Sequence, residues 1–114
     1  MPLVFRVSNA GRAPVTLELQ GREPTADFVV TDRRGTVIWS LLRGRVMLGS
    51  LRLHPLPPGR GLTFRHAWDQ RSDRGIAVPP GEYVVRAVLI TGDRGGLQSP
   101  PARVTIRRKD GKTE

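Results

Sequence analysis

Apolar residues recur in this chain at every second position, in runs too short for helices and broken by glycine, proline, asparagine and aspartate. Leu3, Phe5 and Val7 form the first run, which stops at Ser8-Asn9-Ala10-Gly11. Val15, Leu17 and Leu19 form the second, with Thr16, Glu18 and Gln20 turned outward. Phe28 and Val30 form a third, closed by Asp32-Arg33-Arg34-Gly35, and Val37 and Trp39 open a fourth. Leu62, Phe64, His66 and Trp68 alternate with Thr63, Arg65 and Ala67. Tyr83, Val85, Ala87 and Leu89 alternate with Val84, Arg86 and Val88, and Val104 and Ile106 end the series. A period of two gives each strand one apolar face. Short strands of this kind can bury those faces only against one another, so the expected fold is all-β: an antiparallel β-sandwich of seven to nine strands with little or no helix.

The prolines agree with that reading. Pro14, Pro58, Pro79, Pro80, Pro100 and Pro101 fall at strand starts or just before them. A missing N–H costs little there and blunts a sheet edge. The stretch from Leu41 to Leu53 is ambiguous: Met47 with Val46 and Leu48 fits an edge strand, a helical turn or an exposed loop. A length of 114 residues suits one domain. We expect it to span residues 1–108, with 109–114 as a tail that lacks apolar anchors and frays.

There is no cysteine, which excludes disulfides and thiolate metal sites. The formal charge is +9, nearly all of it from arginine, since lysine occurs only at Lys109 and Lys112. The arginines are scattered through strands and turns and form no dense block, so solvation explains them better than a nucleic-acid site. No apolar run reaches the roughly 20 residues of a membrane span. Met1-Pro2 leads directly into an apolar strand with no basic start, which reads as a cytoplasmic chain; a chain with its leader removed would look the same. A monomer or weak dimer is expected.

The residues that could carry chemistry do not converge. His54 and His66 make a poor ligand set, and His66 shares a face with Phe64 and Trp68, as a half-buried residue at the core edge would. Asp27, Asp32, Asp69 and Asp73 sit at strand ends or turns, where a carboxylate bonds nearby backbone. No serine stands in a nucleophile elbow, and no glycine loop follows a strand and opens a helix. No metal, cofactor or catalytic residue is expected, and the chain reads as a binding protein and not an enzyme. Trp39 and Trp68 read as large core residues between two sheets. Pro79-Pro80 should force an extended approach to the next strand, with Gly81 permitting the turn and the Tyr83 hydroxyl bonding backbone upstream.

Several motifs together resemble a known family. They are Val7-x-Asn9 followed by Pro14-Val15-x-Leu17-x-Leu19; Asp27-Phe28-Val29-Val30-x-Asp32-x-x-Gly35-x-x-Ile38-Trp39; Leu56-x-Pro58-Gly59-x-x-Leu62-Thr63-Phe64-x-x-x-Trp68-Asp69-Gln70; and Gly75-x-x-Val78-Pro79-Pro80-Gly81-x-Tyr83-x-Val85. The span from Phe5 to about Ile106 thereby resembles the BsuPI family, the intracellular proteinase inhibitor domain of bacilli and its relatives. The hairpin from Asp27 to Trp39 is the part most particular to that family. The stretch from Trp68-Asp69 to Tyr83 is shared with other bacterial Ig-like domains. The resemblance implies an Ig-like sandwich and a protein partner, with a subtilisin-like serine protease as the candidate. It departs from the family at Ser40 to Ser50, where the family usually carries an aromatic or polar stretch.

An inhibitor needs a segment already held extended, so that little freedom is lost on docking. By elimination the candidate is Arg43 to Arg52, and within it Arg45, Val46, Met47 and Leu48. The alternatives are an ordinary edge strand with those side chains packed down, an Ig-like interaction module without inhibitory activity, and an electrostatic binder of polyanions.

Overall fold

The computed structural model describes residues 1–20, 24–43, 51–92 and 96–107. Nine strands make up the regular structure, with no helix among the described residues. They are β1 (Pro2–Ser8), β2 (Val15–Gln20), β3 (Ala26–Thr31), β4 (Val37–Ser40), β5 (Leu51–Leu56), β6 (Gly61–Ala67), β7 (Gly81–Leu89), β8 (Leu97–Gln98) and β9 (Ala102–Ile106).

All pairings among the described residues are antiparallel. The larger sheet runs β4-β3-β7-β8, with β9 also paired to β7. Two further pairs, β1 with β6 and β2 with β5, form a bent ribbon. The bend is where β1 passes into β2 and β5 into β6. There Asn9 N–H donates to the Arg60 carbonyl and Gly59 N–H to the Asn9 carbonyl, each at 2.9 Å. Gly59 takes a φ of +78°, which favours glycine. Beyond the bend the ribbon reaches the larger sheet: Gln20 N–H donates to Ile90 carbonyl and Gly92 N–H to Glu18 carbonyl.

The apolar phases meet in one core. Leu3, Phe5 and Val7 of β1 join Phe28, Val30, Trp39, Trp68, Tyr83, Val85, Ala87, Leu89 and Ile106. Every inward position of β7 is buried, from Tyr83 to Leu89. The molecule is thus the antiparallel β-sandwich that the alternation requires.

Three details differ from the sequence reading. Val37 does not share the buried face with Trp39 and is 55% exposed. The register slips between Val30 and Thr31, and Val37 opens an edge strand beside the Asp32–Gly35 turn. Phe64 is half-buried and not fully enclosed, because among the described residues β1 is the one ladder neighbour of its strand; it stacks on Phe5 at 5.9 Å. The third difference is β5. Its run Leu51-Arg52-Leu53-His54-Pro55-Leu56 lies partly in the ambiguous stretch, and it is a regular strand from its first residue.

Candidate functional site

The segment from Arg43 to Arg52 leaves β4 and returns as β5. Arg45, Val46, Met47 and Leu48 lie outside the described residues. Both flanks are described, and both are fixed.

On the β4 side, Leu41 N–H donates to the Phe28 carbonyl at 3.0 Å. Leu42 N–H donates to Asp27 Oδ1 at 3.0 Å, and Arg43 N–H to Ser40 Oγ at 3.0 Å. Arg43 itself sits at φ 52°, a conformation rare for a residue with a Cβ. Its Nε lies 3.7 Å from Asp73 Oδ1. Asp73 does more than pair with it. Its Oδ1 accepts from Ser40 N–H at 3.1 Å, and its own N–H donates to the Ile38 carbonyl at 3.1 Å. The turn carrying Asp73 therefore covers the free edge of β4 where the segment departs.

Asp32 and Asp69 bond nearby backbone. Asp32 Oδ1 accepts from Arg34 and Thr36 N–H, and Asp69 Oδ1 from Arg71 N–H. Asp27 and Asp73 depart from the expectation of local bonding, since their acceptor bonds span 15 and 33 positions. Asp27 also has a raised pKa. Burial pushes it above the usual carboxylate range; the N–H groups of Leu42, Phe28 and Leu41 oppose that, and the charge of Asp73 adds to it. Its oxygen is already engaged with Leu42, so it acts as a strut for the segment's flank.

Beside this flank lies an open cleft of about 360 Å³ lined by Trp39, His66, Trp68, Arg43, Arg71 and Ser72 among others. The Trp39 and His66 rings stack at 5.5 Å with planes 21° apart, and Trp39 and Trp68 lie 5.6 Å apart. Both indoles are buried, at 5% and 1% exposure, so the rings are walls of the core more than a platform. Trp68 Nε1–H donates to the Arg71 carbonyl at 3.0 Å. Tyr83 Oη–H donates to the Pro79 carbonyl at 2.7 Å, across a turn where Gly81 takes a φ of +151°. Burial, and secondarily the charge of Asp32, raises the Tyr83 pKa above its ordinary value.

On the β5 side, Leu51, Leu53 and Pro55 share the outward face, while Leu56 is buried on the other. Leu53 is 72% exposed and Leu51 52%. This strand was not read from the sequence. The signal was there: a proline in phase with two leucines marks an edge strand whose N–H groups at that phase face away from the partner. Among the described residues no group of three or more His, Cys, Asp or Glu side chains could hold a metal ion. His54 belongs to β5, while His66 belongs to β6 and to the cleft.

Fold and flanks together define an Ig-like β-sandwich with two anchored flanks and, among the described residues, an edge of β5 without a ladder partner. The family model described as BsuPI, intracellular proteinase inhibitor, matches residues 1–93, and the chain belongs to that family. The match runs through β7 and ends before β8 and β9. No curated protein matches the chain.

Proposed function

We propose that this domain inhibits a serine proteinase of the subtilisin-like class inside the cell, by occupying the enzyme's substrate cleft and performing no chemistry of its own. Family membership supports a proteinase as the partner. The observation that supports the reading is the anchoring of both flanks of the Arg43 to Arg52 segment. Asp27, Ser40 and Asp73 hold one flank, and the β2–β5 ladder holds the other. A segment tied down at both flanks has less freedom to lose on docking than a free loop. Arg45, Val46, Met47 and Leu48 are the proposed contact residues, and the large apolar ones suit an apolar specificity pocket.

The test is a panel of serine proteinases assayed with micromolar protein. Inhibition of subtilisin, lost in the Met47→Asp/Leu48→Asp variant with the melting temperature nearly unchanged, supports the reading. Unfolding of that variant would show those residues to be core. A wild-type protein that inhibits no member of the panel would end the inhibitor reading and leave a binding module without inhibitory activity.

A further inference from the structure

The backbone of β5 carries information that its side chains do not. Glu18 carbonyl accepts from Gly92 N–H at 3.1 Å, and Gln20 N–H donates to Ile90 carbonyl at 3.4 Å. Both groups of β2 thus point toward the end of β7. In an antiparallel ladder the N–H and C=O of one residue point to the same side. Glu18 and Gln20 are therefore not bonded to the residues opposite them, which are Leu53 and Leu51. These are the non-hydrogen-bonded pairs of the ladder, so Leu51 and Leu53 direct their own N–H and C=O away from β2. Pro55 falls in the same phase, opposite Thr16. A missing N–H is tolerated there because that N–H would have faced outward.

On that outer side, β5 has no ladder partner among the described residues. The same two residues also expose their side chains, and Leu53 is the most exposed large apolar residue of those described. Two consecutive outward donor–acceptor sets, spaced one strand repeat apart and flanked by leucines, fit one kind of occupant: an extended backbone added as a third strand. We infer that β5 pairs, through Leu51 and Leu53, with the strand that lines the substrate cleft of the target proteinase, while both leucine side chains rest on apolar surface beside that cleft. This inference rests on the inhibitor reading and deepens it. Proteinase clefts hold substrates by such main-chain pairing, and β5 directly continues the anchored segment.

Hydrogen exchange on the free protein is the first arm of the test. Leu51 and Leu53 amides should exchange fast, while those of Arg52 and His54, bonded across to β2, exchange slowly. Slow exchange at Leu51 and Leu53 would mean that the edge is already occupied, and would overturn the inference. The second arm is inhibition of subtilisin, chymotrypsin and elastase. Leu53→Pro removes an outward N–H that the fold does not use, and places a ring against the approaching strand. It should weaken inhibition by roughly 30-fold or more, the loss of one or two strand bonds with a clash added. Leu53→Lys, which keeps the N–H and blunts the edge by charge, carries the same test if the proline variant fails to fold. Val4→Asp, at another exposed apolar position, should change inhibition little. If wild-type and both Leu53 variants inhibit equally, the edge reading is wrong and the inhibitor reading stands. If the wild-type inhibits none of the three enzymes, both readings fall.

Discussion

Asn9 Nδ2 lies 2.9 Å from the Leu56 carbonyl oxygen, joining the two strands of the ribbon at its bend across 47 positions of sequence. The same amide nitrogen donates to the Ala13 carbonyl, and Oδ1 accepts from Gly11 N–H, both at 2.9 Å. Asn9 is 7% exposed, and its bond to the Leu56 carbonyl is buried, while those to Ala13 and Gly11 are partly buried. Asn9→Ala should cost about 2–3 kcal/mol, from three lost hydrogen bonds, of which the one to the Leu56 carbonyl is buried. Calorimetry should show a melting point lower by roughly 8–13 °C for a domain of this size. Asn9→Asp should be worse at neutral pH, because it sets a carboxylate against two carbonyl oxygens, and should recover partly in acid. A variant with unchanged melting would show that the bend holds without its amide.

The Tyr83 hydroxyl has a narrower role. It makes one bond, to the Pro79 carbonyl, beside a turn already restricted by two prolines. Tyr83→Phe keeps the buried ring and should cost about 1 kcal/mol, the net worth of one hydrogen bond. Equilibrium denaturation in urea measures this as a lower midpoint with an unchanged slope.

Asp27 predicts a pH dependence of definite sign. Burial raises its pKa in the folded protein above the ordinary carboxylate value. The folded state thus disfavours the charged form, and the group's favourable contribution is fully present below the unfolded pKa and lost as pH rises through the folded one. Asp27→Asn keeps an acceptor for Leu42 N–H and removes the charge. It should raise the melting temperature at pH 7 and make little difference near pH 3. A variant less stable than wild type at pH 7 would show that the charge strengthens the bond to Leu42 by more than burial costs.

Asp73 links stability to the proposed function. Asp73→Ala leaves Ser40 N–H without its acceptor and Arg43 without its carboxylate. Its effect on inhibition should exceed its effect on melting, since the fold keeps its core while the anchored segment loses a restraint. Asp73→Asn keeps an acceptor for Ser40 and should fall between the two. Equal inhibition by all three forms would remove Asp73 from the account of the segment.

Much of the fold was legible because the core faces alternate without interruption. Tyr83, Val85, Ala87 and Leu89 read as a buried strand face, and all four are buried. What escaped was set by partners distant in the chain. The run at β5 alternates as well, but its exposed leucines look like core residues until the ladder with β2 turns them outward. Asp73 reads as one more turn aspartate, because the amide it serves is 33 positions earlier. Asp27 likewise reads as a polar residue at a strand end, and its burial comes only with the sheet around it. The proposed contact residues rest on elimination and family membership, since composition and periodicity do not tell a docking segment from an edge strand.

The pairing of β1 with β6 has a consequence for how the chain is made. Paired residues of these strands lie 53 to 65 positions apart, from Ser8 opposite Gly61 to Pro2 opposite Ala67. At about 5–20 residues per second, translation leaves Leu3, Phe5 and Val7 without their ladder partner for on the order of 3–12 s. During that interval an apolar strand with two open edges waits at the ribosome exit. Chaperone capture of the nascent chain should therefore be strongest before Ala67 emerges, and a circular permutant that places β1 directly after β6 should depend on it less.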